Sequence, residues 1–407
     1  MISRIHKTDA TLTFRLNENV SVANALRRTI LADIETPVLR DVRVTKNTSR
    51  FTNEIISQRL GCVPVSLDPS LMGEQVTLNV KNTSEEILVV TTHDLVVKGH
   101  APFQPSVYGE KEWYIDLLRL RPAVANIPGE EISLTCVVGV GKAKESGQFN
   151  VASTCSYSMT QNQAASDAAF ASQEDSKDNW NLLEAKRFVE PDSFDFLIQT
   201  VGVYTNIELV VKACDVLIQG LHEISFTVQP SLSTMKDCQD VVIPDGDYTI
   251  GKLLEYEVYK GHGKEVSYVT FLKQHPHDTS GILRVATTAD LPVLVTEAAR
   301  RVAEIFAKIK HKFGGKLEPE LQTDLEQFKA VDIEQKREIL QAKGRAGAAS
   351  ADEATLDEMA AAYSEEVAVK RKKGKAEKEK PKKDEKVEKG EETEKEKKGK
   401  KSSQKTQ

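Results

Sequence analysis

The chain has 407 residues and a formal charge of −6 at pH 7, but residues 370–407 hold 17 basic against 9 acidic side chains, so the first 369 residues carry −14. An acidic body argues against a free-standing nucleic-acid binder, whose domains are usually basic. No apolar run approaches the ~18 residues of a membrane helix, and the first fourteen residues lack the ~7–15-residue apolar core of a secretory signal.

In chain order, alternating apolar residues predict strands over 2–6 and 11–16 about a polar turn at Lys7-Thr8-Asp9. Ser21 is a good N-cap, because its hydroxyl oxygen can accept an orphan backbone N–H. Val22, Ala25, Leu26, Thr29, Ile30 and Asp33 then follow helical spacing, giving one apolar stripe over 21–33. A strand is expected over 39–45, and a short helix capped by Thr52 or Asn53 and stopped by Gly61. From Cys62 to about Ser158 the pattern becomes short apolar runs between turns, with strands expected over 75–81, 87–92, 113–120, 131–140 and 149–157. Residues 161–184, rich in Ala, Ser, Gln and Asp, fit a loop or loosely held helix. A strand over 193–201 and a helix over 206–219, with Gly220 as its stop, complete this part.

A second unit follows almost without a linker. Strands are expected over 224–229 and 239–243, a helix over 249–260, strands over 266–273 and 283–288, and a long helix over 292–313 ended by Gly314-Gly315. Its first helix repeats an earlier pattern: Ser21-Val22-Ala23-Asn24-Ala25-Leu26-Arg27 and Thr249-Ile250-Gly251-Lys252-Leu253-Leu254-Glu255 lie 228 positions apart. Two strand-like runs precede each copy and a strand follows. A repeat seen twice, too far apart for a solenoid, points to two related halves pairing inside one chain. Residues 316–369 have helical propensity with few large apolar groups, and 370–407 form a Lys/Glu tail unable to bury a core.

Asn24-Ala25-Leu26-Arg27-Arg28-Thr29-Ile30-Leu31, followed by Ile34-Glu35-Thr36, resembles the signature helix of α-like RNA polymerase subunits. Asn47-Thr48-Ser49, Glu54-Ile55-Ile56-Ser57-Gln58-Arg59-Leu60-Gly61-Cys62-Val63-Pro64, Leu120-Arg121-Pro122, Gly139-Val140-Gly141-Lys142 and the stretch 194–217 extend the resemblance over residues 1–220. Residues 221–313 are similar to the small α-like partner through Asp247-Tyr248-Thr249-Ile250-Gly251-Lys252-Leu253-Leu254, His275-Pro276 and Leu283-Arg284-Val285. This half departs from the family pattern at Tyr248, Lys252 and His277.

The resemblance implies an α+β fold: two dimerisation modules pairing within one chain, a mainly β insert and a disordered tail. The expected boundaries are 1–45 and 185–220 for the larger module, 46–184 for the insert, 221–315 for the small module, 316–369 for a helical extension and 370–407 for the tail. It implies a non-catalytic subunit of a DNA-directed RNA polymerase, with no catalytic residues, metal or cofactor of its own. Arg27, Arg28, Glu35, Thr36, Arg59, Leu60, Gly61 and Lys142 would hold the two largest subunits. Val22, Ala25, Leu26, Ile30, Ile250, Leu253 and Leu254 would pair the halves. Other polymerase subunits are implied partners, DNA only through the complex, and no membrane. Fusion of two normally separate subunits resembles some large DNA viruses, which implies an intracellular place in the nucleus or a cytoplasmic viral factory, with packaging in the virion as a further outcome. The rival reading is a stand-alone nucleic-acid-associated regulatory protein that reuses the fold.

Other signals weigh less. Gly139-Val140-Gly141-Lys142 fails the phosphate-loop pattern at Cys136 and Ala143, and the family match makes it a surface loop. His275-Pro276-His277 with Asp278 is a thin metal set and reads as a turn. Cys62, Cys136, Cys155, Cys214 and Cys238 lack zinc spacing and read as reduced, partly buried thiols. Asn47-Thr48-Ser49 and Asn82-Thr83-Ser84 are glycosylation sequons by pattern only.

Overall fold

A computed structural model of the chain describes residues 1–8, 10–65, 72–97, 106–108, 111–171, 177–263 and 265–315. The elements below all belong to the first of two units, which spans Met1–Leu317. The expected helical extension (316–369) and the tail (370–407) lie outside the described residues.

The chain opens with the hairpin β1 (Ile2–Lys7) and β2 (Thr11–Asn17), then α1 (Val20–Ala32). β2 turns Leu12, Phe14 and Leu16 inward, the two-residue period of a half-buried strand. The cap of α1 is Asn19, whose Oδ1 accepts the Ser21 N–H at 2.8 Å. Ser21 therefore lies inside the first turn and is not the cap. Two good capping residues stand within three positions, and the end of β2 selects the first.

β3 (Glu35–Asn47) leaves this sheet and begins an excursion. It contains α2 (Asn53–Gly61), β4 (Gln75–Lys81), β5 (Leu88–Thr91), β6 (Val96–Val97), β7 (Ser106–Tyr108), β8 (Lys111–Trp113), β9 (Asp116–Leu120) and β10 (Glu131–Lys142). Its main sheet has the order β3-β10-β4-β6, with the pairs β5–β9 and β7–β8 beside it. Leu60, Val76, Leu78, Leu118, Ile132 and Leu134 are among the residues of its core. Asn47 and Asn82 build the same turn. In each, Oδ1 accepts the backbone N–H of the serine two residues on at 2.9 Å, and Nδ2 donates to the carbonyl four residues on at 2.8 Å. Asn82 is 1% exposed, so its sequon pattern serves the turn.

β11 (Ala152–Gln161) rejoins the first sheet. The excursion thus runs from β3 to about Val151, which moves both boundaries of the expected 46–184 insert: alternation reveals a strand but not its sheet. Then come α3 (Gln163–Phe170), α4 (Lys177–Leu182), β12 (Val189–Thr200) and α5 (Asn206–His222). The stretch 161–184 is held at α4, where buried Trp180 donates Nε1–H to Ser166 Oγ at 3.0 Å between Phe170 and Phe188. α5 begins at a capping box of Thr205 and Glu208 and runs through Gly220, which is not a stop.

The second repeat is β13 (Thr227–Pro230), β14 (Cys238–Ile243), α6 (Tyr248–His262), β15 (Val266–Leu272), β16 (Gly281–Thr287) and α7 (Leu291–Lys312). Pro292 sits in the first turn of α7, where no N–H is needed, and Gly314, at φ +80, follows its end.

The first sheet has the order β1-β2-β12-β11 and the last has β13-β14-β16-β15. These are one topology: a hairpin, a helix, then two strands of which the later one pairs beside the second strand of the hairpin. α1 packs on α5, α6 and β11, while α7 packs on α5 and α6. Phe14 of β2 stacks on Phe196 of β12 at 5.0 Å and meets the Phe313 ring edge-on at 5.1 Å, beyond α7. Lys310 of α7 pairs with Asp215 of α5 at 2.6 Å. α1, α5, α6 and α7 therefore pack on one another.

Candidate docking site

The residues expected to pair the halves lie on α1 (Val22, Ala25, Leu26, Ile30) and α6 (Ile250, Leu253, Leu254), helices that touch each other. Val22, Ala25, Leu26, Ile30, Leu253 and Leu254 are each at most 3% exposed, and Ile250 is half-buried, its Cδ1 3.9 Å from where a Cβ on Gly220 would stand. α6 copies the start of α1: Asp247 caps it, accepting the Tyr248 N–H at 2.7 Å and the Thr249 hydroxyl at 3.1 Å.

Arg28 closes this contact. Its Nε donates to Thr249 Oγ1 at 2.9 Å and one Nη to Asp247 Oδ2 at 2.9 Å. Arg28 stands in the later half of α1 and Asp247 at the start of α6, so the helices run antiparallel. Burial pushes the Asp247 carboxyl up, but the Arg28 hydrogen bond and charge outweigh it and hold the group below its ordinary range. Arg28 is thus engaged by the second repeat and does not stand on an unengaged outer face. The helical spacing of α1 could not reveal a partner 219 positions away.

At the other end of the same contact, burial raises both Glu18 and Glu257 above the ordinary range; the Met1 ammonium, Lys260 and Lys308 oppose this at Glu18, and Lys260, Arg301 and His262 oppose it at Glu257, which also feels Glu18. A carboxyl raised by folding stabilises the fold below its unfolded pKa and loses that contribution as pH rises through the folded value. Glu257→Gln is therefore expected to raise the melting temperature at pH 7 and to leave it unchanged at pH 4. Thermal melts at both values check this.

Of the expected docking residues, Glu35 and Lys142 come together. They are register partners on β3 and β10, paired at 3.2 Å and partly exposed. Nearby, burial raises the Asp33 carboxyl, opposed by Lys144 at 3.9 Å and by Lys142 and Arg28. Lys142 and Lys144 border a groove of about 360 Å³ that runs past Gly220 of α5 to Asp247 and Thr249 of α6. β10 continues through Lys142, so Gly139–Lys142 is strand and not loop. Gly139 and Gly141 make room for Arg40 and Phe149, which would lie 2.9 and 2.8 Å from added Cβ atoms.

The others are placed elsewhere. Arg27 is half-buried on another flank of α1, 3.5 Å from Asn24 Oδ1, which also accepts the Tyr157 hydroxyl. Thr36, Leu60 and Gly61 are buried, so they shape the surface from beneath. Gly61 ends α2, as expected, and faces Gln148, where an added Cβ would stand 2.8 Å from Oε1, so close packing also uses this glycine. Arg59 lines a separate pocket with Phe51 and Asp116.

The remaining signals resolve locally. The His275 N–H donates to Asp278 Oδ2, and His275 Nδ1 accepts the His277 N–H at 3.1 Å, which commits one ring nitrogen to the turn. All five cysteines are free; burial pushes the Cys136 and Cys155 thiols up to about 12 and the Cys214 thiol further. Among the described residues, no helix is long and apolar enough to cross a membrane.

Comparison with known proteins places these features. Residues 14–221 match the RNA polymerase Rpb3/Rpb11 dimerisation domain. The chain is 24% identical over 234 residues to the DNA-directed RNA polymerase II subunit RPB3 of Schizosaccharomyces pombe, covering 51% of this chain and 77% of that one. It is 27% identical over 184 residues to the human DNA-directed RNA polymerases I and III subunit RPAC1, covering 38% and 53%. It is 28% identical over 150 residues to the DNA-directed RNA polymerase subunit Rpo3 of Methanosphaera stadtmanae, covering 33% and 51%. The chain thus spans about half the length of the last two relatives. With its matched region running from within β2 through a helix, an excursion, two strands and a second helix, the chain belongs to the RNA polymerase Rpb3/Rpb11 dimerisation domain family.

Proposed function

We propose that the chain is a non-catalytic assembly platform of a multi-subunit DNA-directed RNA polymerase. Two α-like modules, residues 1–220 and 221–315, would pair within one polypeptide while the two largest subunits dock outside. The observation that carries this reading is the common strand order of the first and last sheets, the last of which lies beyond the family match. The antiparallel contact of α1 and α6 through Arg28, Asp247 and Thr249 supports it.

Only residues 223–226 separate α5 from β13. A short connection holds two partners at an effective concentration on the order of millimolar, so the cost of bringing two bodies together is largely removed. The large subunits would meet the rim of the groove at Glu35 and Lys142, with Arg27 on the flank, and supply the catalytic chemistry; DNA would be met through the complex. The fusion favours a large DNA virus as the source and a nucleus or cytoplasmic factory as the place of action.

A charge swap tests the docking surface. Glu35→Lys with Lys142→Glu reverses the surface pattern while retaining the ion pair, so the chain stays folded. Capture of two much larger polymerase subunits by the tagged chain should fall by roughly tenfold or more. Undiminished capture would move the docking surface elsewhere, and a wild-type chain recovered alone on DNA would replace the polymerase reading with the regulatory one.

A further inference from the structure

The pocket at α2 and β9 holds Arg59, one of the residues expected to dock the large subunits, but shares nothing with the surface at Glu35 and Lys142 and points to a second partner. It encloses about 230 Å³ behind a rim of Arg50, Arg59 and Arg119. Leu117 and Leu118, at most 3% exposed, form part of its apolar lining with half-buried Phe51. Arg59 is fixed in place: one Nη donates to the Asp116 carbonyl at 2.7 Å and its guanidinium lies over the Phe51 ring at 5.6 Å. Among the described residues, Asp116 is the only carboxylate of the lining, and it stands 3.6 Å from Arg119. Exposed Ile55 lies one turn before Arg59 on the same face of α2. Three arginines against one aspartate make this a basic spot on a body that carries −14 over residues 1–369.

We propose that this pocket docks an acidic protein segment, with one large apolar side chain on Phe51, Leu117 and Leu118 and flanking carboxylates on Arg50 and Arg119. The arginine fork takes carboxylates in bidentate geometry, and an apolar anchor in a small pocket surrounded by polar contacts is the usual form of a binding hot spot. A single-stranded nucleic acid fits less well. One face of Phe51 is already covered by Arg59 and is not free to stack a base. The inference does not rest on the polymerase reading, whose docking surface at Glu35 and Lys142 shares no residue with this pocket.

The test is fluorescence anisotropy of the full chain at about 0.1 M salt, with the fluorescein-labelled peptide Asp-Glu-Asp-Phe-Asp-Glu-Asp as probe. Saturable binding is expected, weakened roughly tenfold or more when the peptide phenylalanine becomes alanine and again by Arg50→Glu with Arg119→Glu. Arg50→Gln with Arg119→Gln, which adds no repulsion, should also weaken it, and circular dichroism should show every variant folded. Absence of saturable binding would overturn the proposal. So would equal binding of the alanine peptide, which would reduce the effect to bulk charge, or tighter binding of labelled oligothymidine at the same arginines. Peptide binding without capture of large subunits would overturn only the polymerase reading, and capture without peptide binding only this one.

Discussion

Gly251→Val is expected to destabilise the first unit by about 3 kcal/mol, the upper end of the usual range for overpacking. A Cβ at Gly251 would lie 2.3–2.4 Å from three ring atoms of Phe271. The ring cannot retreat, because Gly281 stands on its other side and a Cβ there would meet it at 2.3 Å. Phe271 is 3% exposed, its N–H is held by Glu255 Oε2 at 2.6 Å, and the Tyr248 ring abuts it edge-on at 5.3 Å. The glycine thus lets α6 lie close against β15. Even Gly251→Ala should destabilise, although alanine gains about 1 kcal/mol in an open helix. Gly220→Ala is the control: a Cβ there meets only Ile250 Cδ1 at 3.9 Å, so that variant should be neutral or more stable. Urea midpoints of the three variants decide; no change in Gly251→Val would mean that α6 and β15 do not pack as described.

Asp240→Ala is expected to cost about 3 kcal/mol at pH 7, the low end for breaking a buried ion pair by removing one partner. Asp240 on β14 and Arg284 on β16 are register partners joined by two bonds of 2.8 and 2.9 Å. Their side chains are 5% and 22% exposed, so Arg284 keeps some water when its partner is lost. The Arg284 hydrogen bond holds the Asp240 carboxyl below its ordinary range despite burial. A depressed carboxyl stabilises above its unfolded pKa of ~3.9 and loses that contribution as pH falls through the folded value. The gap between wild type and Asp240→Ala should therefore be full at pH 7 and close in stronger acid. Arg15 and Asp195, bonded at 2.7 and 3.1 Å across β2 and β12, give the first sheet a comparable pair.

Short-range signals in the sequence were reliable where chemistry is local. The apolar stripe of α1, the strand over Gln75–Lys81 and the helix ending before Gly314 follow from periodicity and from a glycine at positive φ. Gly220 misled because it keeps an ordinary helical conformation and α5 runs two residues further, to His222. Ser21 misled because Asn19 offers an equal cap two residues earlier. The site was harder to see. Arg27 and Arg28 are neighbours in sequence, yet helical geometry sends them to different flanks, and only the fold brings Asp247 to Arg28. The second copy has Glu255 at the place of Arg27, and that side chain turns to Lys252 and the Phe271 N–H. The two copies therefore carry opposite charges at this position.

The central claim is that one chain supplies both halves of the platform, and the subunit composition of the purified complex tests it most directly. Native mass spectrometry of the complex recovered on a tagged copy should show the two largest polymerase subunits with one copy of this chain and no separate small α-like subunit. A complex in which a second α-like polypeptide accompanies this chain would contradict it.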